Sequence, residues 1–222
     1  MHDLLALFHK IYDVQGIITW GGLGALVFII FAETGLLVGF FLPGDSLLVT
    51  AGIYCTSIED GKPPLLSLPL VLLLPMIAAI VGDTVGYWIG AKSGPALFKR
   101  EQSLLFSRKH LLRTKEFYER HGGKTIIIAR FMPFARTFAP VVAGIGQMSY
   151  RRFLSYNVFG GIGWVASMTL LGFSLAKLHP SITKQIDKVI IVIIVVSLIP
   201  GAISYLMNRN KTPTPPSATL AA

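Results

Sequence analysis

TIIIARFMPFARTFAPVVAGIGQM, residues 125–148, sets the topology of this chain. The stretch is apolar enough to enter a bilayer, yet it contains Arg130 and Arg136 and is interrupted by Pro133 and Pro140. Proline removes a backbone N–H and clashes with the preceding helical turn, so one regular helix through the whole segment is disfavoured. The flanks fix where it begins and ends. Residues 92–124 carry nine basic residues against three acids, and Arg151 and Arg152 follow the segment. Positive charge in short loops marks the cytoplasmic side. An apolar segment that starts and finishes on one side is a re-entrant hairpin.

Working outward, residues 65–91 and 153–176 are each long enough to cross a bilayer, which takes ~20 apolar residues. A further span covers residues 189–207 and ends at Arg209 and Lys211. The loops 56–64 and 176–188 are less basic and fall outside. The same parity makes residues 16–53 a second hairpin entering from outside, or one full span plus a shorter element; the turn chemistry of Phe41-Leu42-Pro43-Gly44-Asp45 favours the hairpin. Residues 1–15 have the spacing of an amphipathic helix lying at the interface, and the proline-rich tail 209–222 reads as disordered. The membrane domain therefore covers 16–208, an all-α, polytopic protein with two opposed hairpins flanked by transmembrane helices.

The halves also resemble each other. Phe41-Leu42-Pro43 leads to Ala51-Gly52, and Phe131-Met132-Pro133 leads to Ala143-Gly144. Each is followed by a span with glycines and a tryptophan, Trp88 in one and Trp164 in the other. Paired interrupted segments in matching positions point to an inverted-repeat transporter with its site near the midplane.

Composition agrees with this reading. The chain of 222 residues is 53% hydrophobic and only 14% charged, with a mean hydropathy of +0.64. Soluble domains carry roughly 25% charged residues. A soluble enzyme and a secreted disulfide scaffold are excluded, and Cys55 stands alone. The net charge of +9 suits cytoplasmic loops that meet anionic membrane lipids. No nucleic-acid module accompanies it.

Five charges lie within apolar runs: Glu33, Asp45, Asp83, Arg130 and Arg136. Each costs about 2.5–3.5 kcal/mol at the centre of a lipid-facing helix. They therefore pair, line water or reach the interface, and structural ion pairs are the plain alternative to a site. Buried pairs are poor devices for stability, which favours a site. Arginine's planar fork suits phosphate, so Arg130 and Arg136 are expected to bind a lipid phosphate. Glu33 and Asp45 would hold the arginines when the site is empty and carry a coupling proton or ion when it is filled. Asp83 and Ser46 are supporting candidates, Asp83 as an arginine partner or cavity lining and Ser46 as polar lining or a helix cap. Tyr87, Trp88 and Trp164 read as interface anchors or packing.

Glu33-Thr-Gly, Phe41-Leu-Pro-Gly-Asp45-Ser-Leu-Leu and Gly82-Asp83 with Gly86-Tyr87-Trp88-Ile89-Gly90 together resemble the DedA family of bacterial inner-membrane proteins. His121-Gly-Gly-Lys124, Ala129-Arg-Phe-Met-Pro133, Arg136-Thr-Phe-Ala-Pro140 and Ala143-Gly144 resemble that family's second signature. The likeness covers roughly residues 20–175 in order. It implies two opposed hairpins, a fold shared with eukaryotic lipid scramblases. It also implies a flippase role, notably recycling undecaprenyl phosphate with proton or sodium coupling, and a need for the residues matching Glu33, Asp45, Arg130 and Arg136. Many members carry arginine directly after the Gly-Tyr-x-x-Gly element, whereas here Ala91 precedes Lys92.

The functional expectation is a multi-pass inner-membrane lipid transporter without cofactor or metal, not an enzyme, with homo-oligomerisation left open. A lipid phosphatase would place a histidine beside the phosphate, but the histidines fall outside the apolar runs. A proton- or cation-coupled antiporter of ions or drugs, a passive phospholipid scramblase and a non-transporting assembly factor are the other readings.

Overall fold

The computed structural model describes residues 14–37, 39, 42–56, 63–98 and 124–179. The expectations for residues 1–13, most of the basic segment, the span 189–207 and the tail lie outside the described residues. Six helices are described: α1 (Val14–Gly35), α2 (Gly44–Tyr54), α3 (Leu68–Phe98), α4 (Lys124–Ala129), α5 (Pro133–Ile145) and α6 (Tyr150–Leu178). No strand occurs among the described residues. Three helical stretches, Gly16–Gly35, Leu68–Gly94 and Tyr150–Leu178, are long and apolar enough to cross a membrane. Helix α3 continues past the expected end at 91, taking Lys92 to Phe98 from the segment read as a basic loop.

Both interrupted stretches are broken, the second at Pro133 and not at Pro140, which lies inside α5. Within α1, Gly22 has φ 54° and ψ −143°, a conformation that glycine tolerates. After Gly35 the chain folds back on the end of α1. The Gly39 amide donates to the Leu36 carbonyl at 2.7 Å, and a Cβ at Gly39 would overlap the Ala32 carbonyl. Helix α2 starts immediately after Pro43. In the second stretch α4 ends in turns at Arg130 and Phe131. Met132 is extended (φ −116°, ψ 116°), as the residue before a proline prefers. Pro133 then occupies the first turn of α5, where its missing N–H costs nothing.

The helices pack through small residues, as expected where lipid removes the hydrophobic drive between helices. Helix α2 lies on α6, and α5 lies on α3. At the first crossing Gly52 sits on the Thr169 carbonyl and Gly172 on the Val49 carbonyl. At the second, Gly144 sits on the Tyr87 carbonyl and Gly90 on the Val141 carbonyl. The short helix after each break thus packs on the long helix of the other half. Helices α1 and α3 meet in the same way at Gly35 and Gly82.

One apolar core gathers Leu26 and Ile30 of α1, Leu47 and Leu48 of α2, Ala79 of α3 and Val165 of α6. A smaller one joins Tyr87, Ile126, Ala143 and Phe153. On α3, Leu70, Leu73, Ile77, Val81 and Trp88 are exposed at helical spacing, a stripe suited to lipid. Between the cores lie the embedded charges.

Candidate functional site

Each embedded charge is placed by a break or by a glycine. Glu33 ends α1 next to the fold-back at Gly39 and is wholly buried. Asp45 is in the first turn of α2, and Arg136 is in the first turn of α5. These three side chains meet. The Arg136 guanidinium donates through Nη1 to Asp45 Oδ1 at 2.7 Å and through Nη2 to Glu33 Oε1. One planar fork therefore bridges both carboxylates, drawn from two helices that a turn separates. Thr137 adds a contact from its hydroxyl to the Glu33 carbonyl at 3.5 Å.

Arg130 belongs to a second cluster. Its Nη2 donates to Asp83 of α3 and to the side-chain oxygen of Asn157 on α6. The Asn157 amide donates in turn to the Ile80 carbonyl at 3.0 Å, locking α6 to α3. Gly160 and Gly161 make room for the arginine. A Cβ at Gly160 would lie 2.9 Å from Arg130 Cδ, and one at Gly161 would lie 3.4 Å from Nη1.

Trp164 completes the first cluster. Its indole N–H donates to Asp45 Oδ1 at 2.8 Å, and its ring centroid lies 4.8 Å from Arg136 Cζ. Such cation–π contact is strongest where water is excluded. Several buried groups retain bonding capacity: the Nε atoms of Arg130 and Arg136 have no hydrogen-bond partner among the described residues, and Glu33 Oε2 faces the Gly44 backbone with no side-chain donor among them. An arginine with a spare Nε–H edge can accept an oxyanion side-on. Among the described residues the only histidine, His179, is exposed at the end of α6.

Residues 42–174, more than half of the chain, match the family model described as the VTT domain. The chain is 47% identical over 185 residues to Protein DedA of Escherichia coli (strain K12), covering 83% of this chain and 82% of that protein. The chain belongs to the DedA family. It is also 41% identical over 192 residues to an uncharacterised membrane protein of Mycobacterium leprae, covering 86% of this chain and 82% of that one. Against the inner membrane protein YqjA of E. coli K12 it is 34% identical over 152 residues, covering 68% of this chain and 66% of YqjA. No solved structure matches it. With its apolar spans, this DedA family member is a multi-pass protein of the inner membrane.

In this DedA family chain the four residues carried by the resemblance are all buried, but they do not form one cluster. Glu33 and Asp45 both hold Arg136, while Arg130 is held by Asp83 and Asn157. Asp83 is thus an arginine partner, and it lies within electrostatic reach of Arg136 as well. Ser46 is buried inside the first turn of α2, after the N-cap Pro43, so it is not the cap of that helix. Trp88 is exposed, as an anchor would be, and the Tyr87 hydroxyl bonds the Met148 carbonyl. Trp164 is packed, yet it also contacts both members of an ion pair. Asn157 was not singled out from the sequence. The signal was available: Asn157, Gly160, Gly161 and Trp164 recur at helical spacing on one face of α6.

Proposed function

We propose that the protein moves a phosphate-headed lipid across the inner membrane, with Arg136 as the principal phosphate contact. One observation carries the reading: a single buried guanidinium bridges two carboxylates from the two sides of a helix break. A tetrahedral phosphate can replace a carboxylate on the fork without changing its geometry. Polyprenyl phosphates such as undecaprenyl phosphate are the substrate class implied by the family resemblance. The breaks between α1 and α2 and at 130–132 support the reading of two re-entrant hairpins. Unwound backbone survives at membrane depth only where protein or a water-filled cavity surrounds it.

Coupling follows from charge counting. Among the described residues two carboxylates share one arginine, an excess of one negative charge when both are ionised. When phosphate occupies the arginine, a released carboxylate needs another positive charge, a proton or a sodium ion. The same acidic excess favours a second reading, an antiporter that exchanges cations without lipid.

The test is translocation of a C55 polyprenyl phosphate and of a common phospholipid in proteoliposomes, with and without a pH gradient. Transport of phosphate lipid is expected from the parent chain, with loss in Arg136→Ala and impairment in Arg136→Lys, because lysine lacks the fork. Unchanged transport in Arg136→Ala overturns the phosphate contact. Cation flux without lipid, insensitive to Arg136→Ala, selects the antiporter.

A further inference from the structure

Trp164 is completely buried and touches both Asp45 and Arg136. The Asp45 oxygen that accepts from Arg136 Nη1 at 2.7 Å also accepts from the indole N–H at 2.8 Å. Asp45 is therefore held from α5 and from α6 at once. Glu33 is held differently: Arg136 Nη2 takes Oε1, and among the described residues no side chain donates to Oε2, which faces the Gly44 backbone at the start of α2.

The guanidinium has unequal edges. Nη1 is committed to the doubly held Asp45. The side-on edge, Nη2 and Nε, is half used, because Glu33 occupies Nη2 while Nε has no partner among the described residues. The Trp164 ring covers one face of the plane at 4.8 Å. Displacing Asp45 breaks two side-chain donations, from α5 and from α6, whereas displacing Glu33 breaks one.

We propose that Trp164 is a positioning residue that keeps Asp45 on Arg136, so that an arriving phosphate displaces Glu33 and binds side-on to Nε and Nη2. This inference rests on the reading of Arg136 as the phosphate contact. Asp45 is then a fixed anion that aims the arginine, and Glu33 is the group exchanged in each cycle.

The experiment measures binding of dioleoyl phosphatidic acid, with dioleoylglycerol as the uncharged control, to the purified full chain in detergent micelles. Trp164→Phe keeps the stacking ring and removes the N–H. It is expected to weaken phosphatidic acid binding at least fivefold, as Asp45→Asn does. The double variant is expected to be no weaker than Asp45→Asn alone, because the two changes remove one linkage. Glu33→Gln is expected to bind more tightly than the parent, because phosphate no longer displaces a charged carboxylate from Nη2. Parent-like binding by Trp164→Phe, multiplying effects in the double variant, or binding no tighter than the parent's in Glu33→Gln alone each overturns the assignment.

Absence of binding by the parent chain overturns the phosphate reading and the exchange of Glu33 with it. The Trp164–Asp45 link is read separately by fluorescence in a Trp20→Phe/Trp88→Phe background, where Trp164 is the sole tryptophan. Asp45→Asn is expected to shift its emission. Unchanged emission overturns the positioning role while leaving any measured phosphate binding standing.

Discussion

Gly44 lies directly against the Glu33 carboxylate, so closely that a Cβ at this position would overlap Oε2. The start of α2 thus presents bare backbone to one acid and, one residue later, supplies Asp45. The N-terminal end of a helix carries partial positive charge, which favours a carboxylate there. The order Pro43-Gly44-Asp45 breaks the chain, admits Glu33 and delivers the second acid to the same arginine.

Gly44→Ala is therefore expected to damage function more than folding. The added methyl meets the end of a side chain rather than backbone, so Glu33 can yield, but only by leaving Arg136. Thermal melting in detergent should report about 1–3 kcal/mol of destabilisation, while transport in proteoliposomes falls to near that of Glu33→Ala. A variant with full transport would show that Glu33 need not sit where it does.

The helix crossings should be less forgiving. At Gly90, Gly144, Gly52 and Gly172 an added Cβ meets backbone carbonyls of the opposing helix, which cannot turn aside. Valine at any of these positions is expected to abolish a cooperative melt or lower the midpoint sharply. Valine at Gly163, where no described residue lies within 4 Å, is the matched control and should melt like the parent.

The two charge clusters should separate energetically. Removing one partner of a buried pair costs about 3–5 kcal/mol because the other charge is stranded. Arg130→Gln and Asp83→Asn are each expected to destabilise strongly, and the double variant to recover much of the loss. Arg130→Gln combined with Glu33→Gln should show no comparable recovery, because those residues share no bond. Melting midpoints of the three single variants, Glu33→Gln included, and of the two double variants read the difference.

Cys55 offers a probe of unfolding. The thiol is 6% exposed, and burial pushes its pKa up to about 11. The thiolate is the reactive form, so it is scarce at neutral pH and its population rises with pH up to that value. Maleimide labelling at pH 7.5 is expected to be slow in the folded chain and to accelerate on denaturation. Rapid labelling under native conditions would place Cys55 at the surface.

Much of this was legible in the sequence because charges and prolines are conspicuous in an apolar chain. Asp83 and Arg130 declared themselves in that way, and the breaks at Pro43 and Pro133 are where turn chemistry predicted them. Which acid meets which arginine was not legible. Glu33 and Arg136 are brought together through α1, α3 and α5, and nothing in their spacing records those crossings. Trp164 reads from the sequence as an interface anchor or as packing, because an indole in an apolar run suits either. Only its depth, and the acid at its N–H, separate the two roles. Asn157 escaped notice because a single amide costs little in a sequence and shows its importance only beside a buried arginine.

The exchange of partners between the halves has a consequence for synthesis. Helix α2 leaves the translocon well before α6 exists, so Asp45 enters the bilayer without its indole donor and without Arg136. A nascent chain halted before α5 would hold two orphaned acids in the bilayer, an unstable intermediate and a natural target for quality-control proteases. The first half has to wait for the second, which ties maturation of the site to completion of the polypeptide.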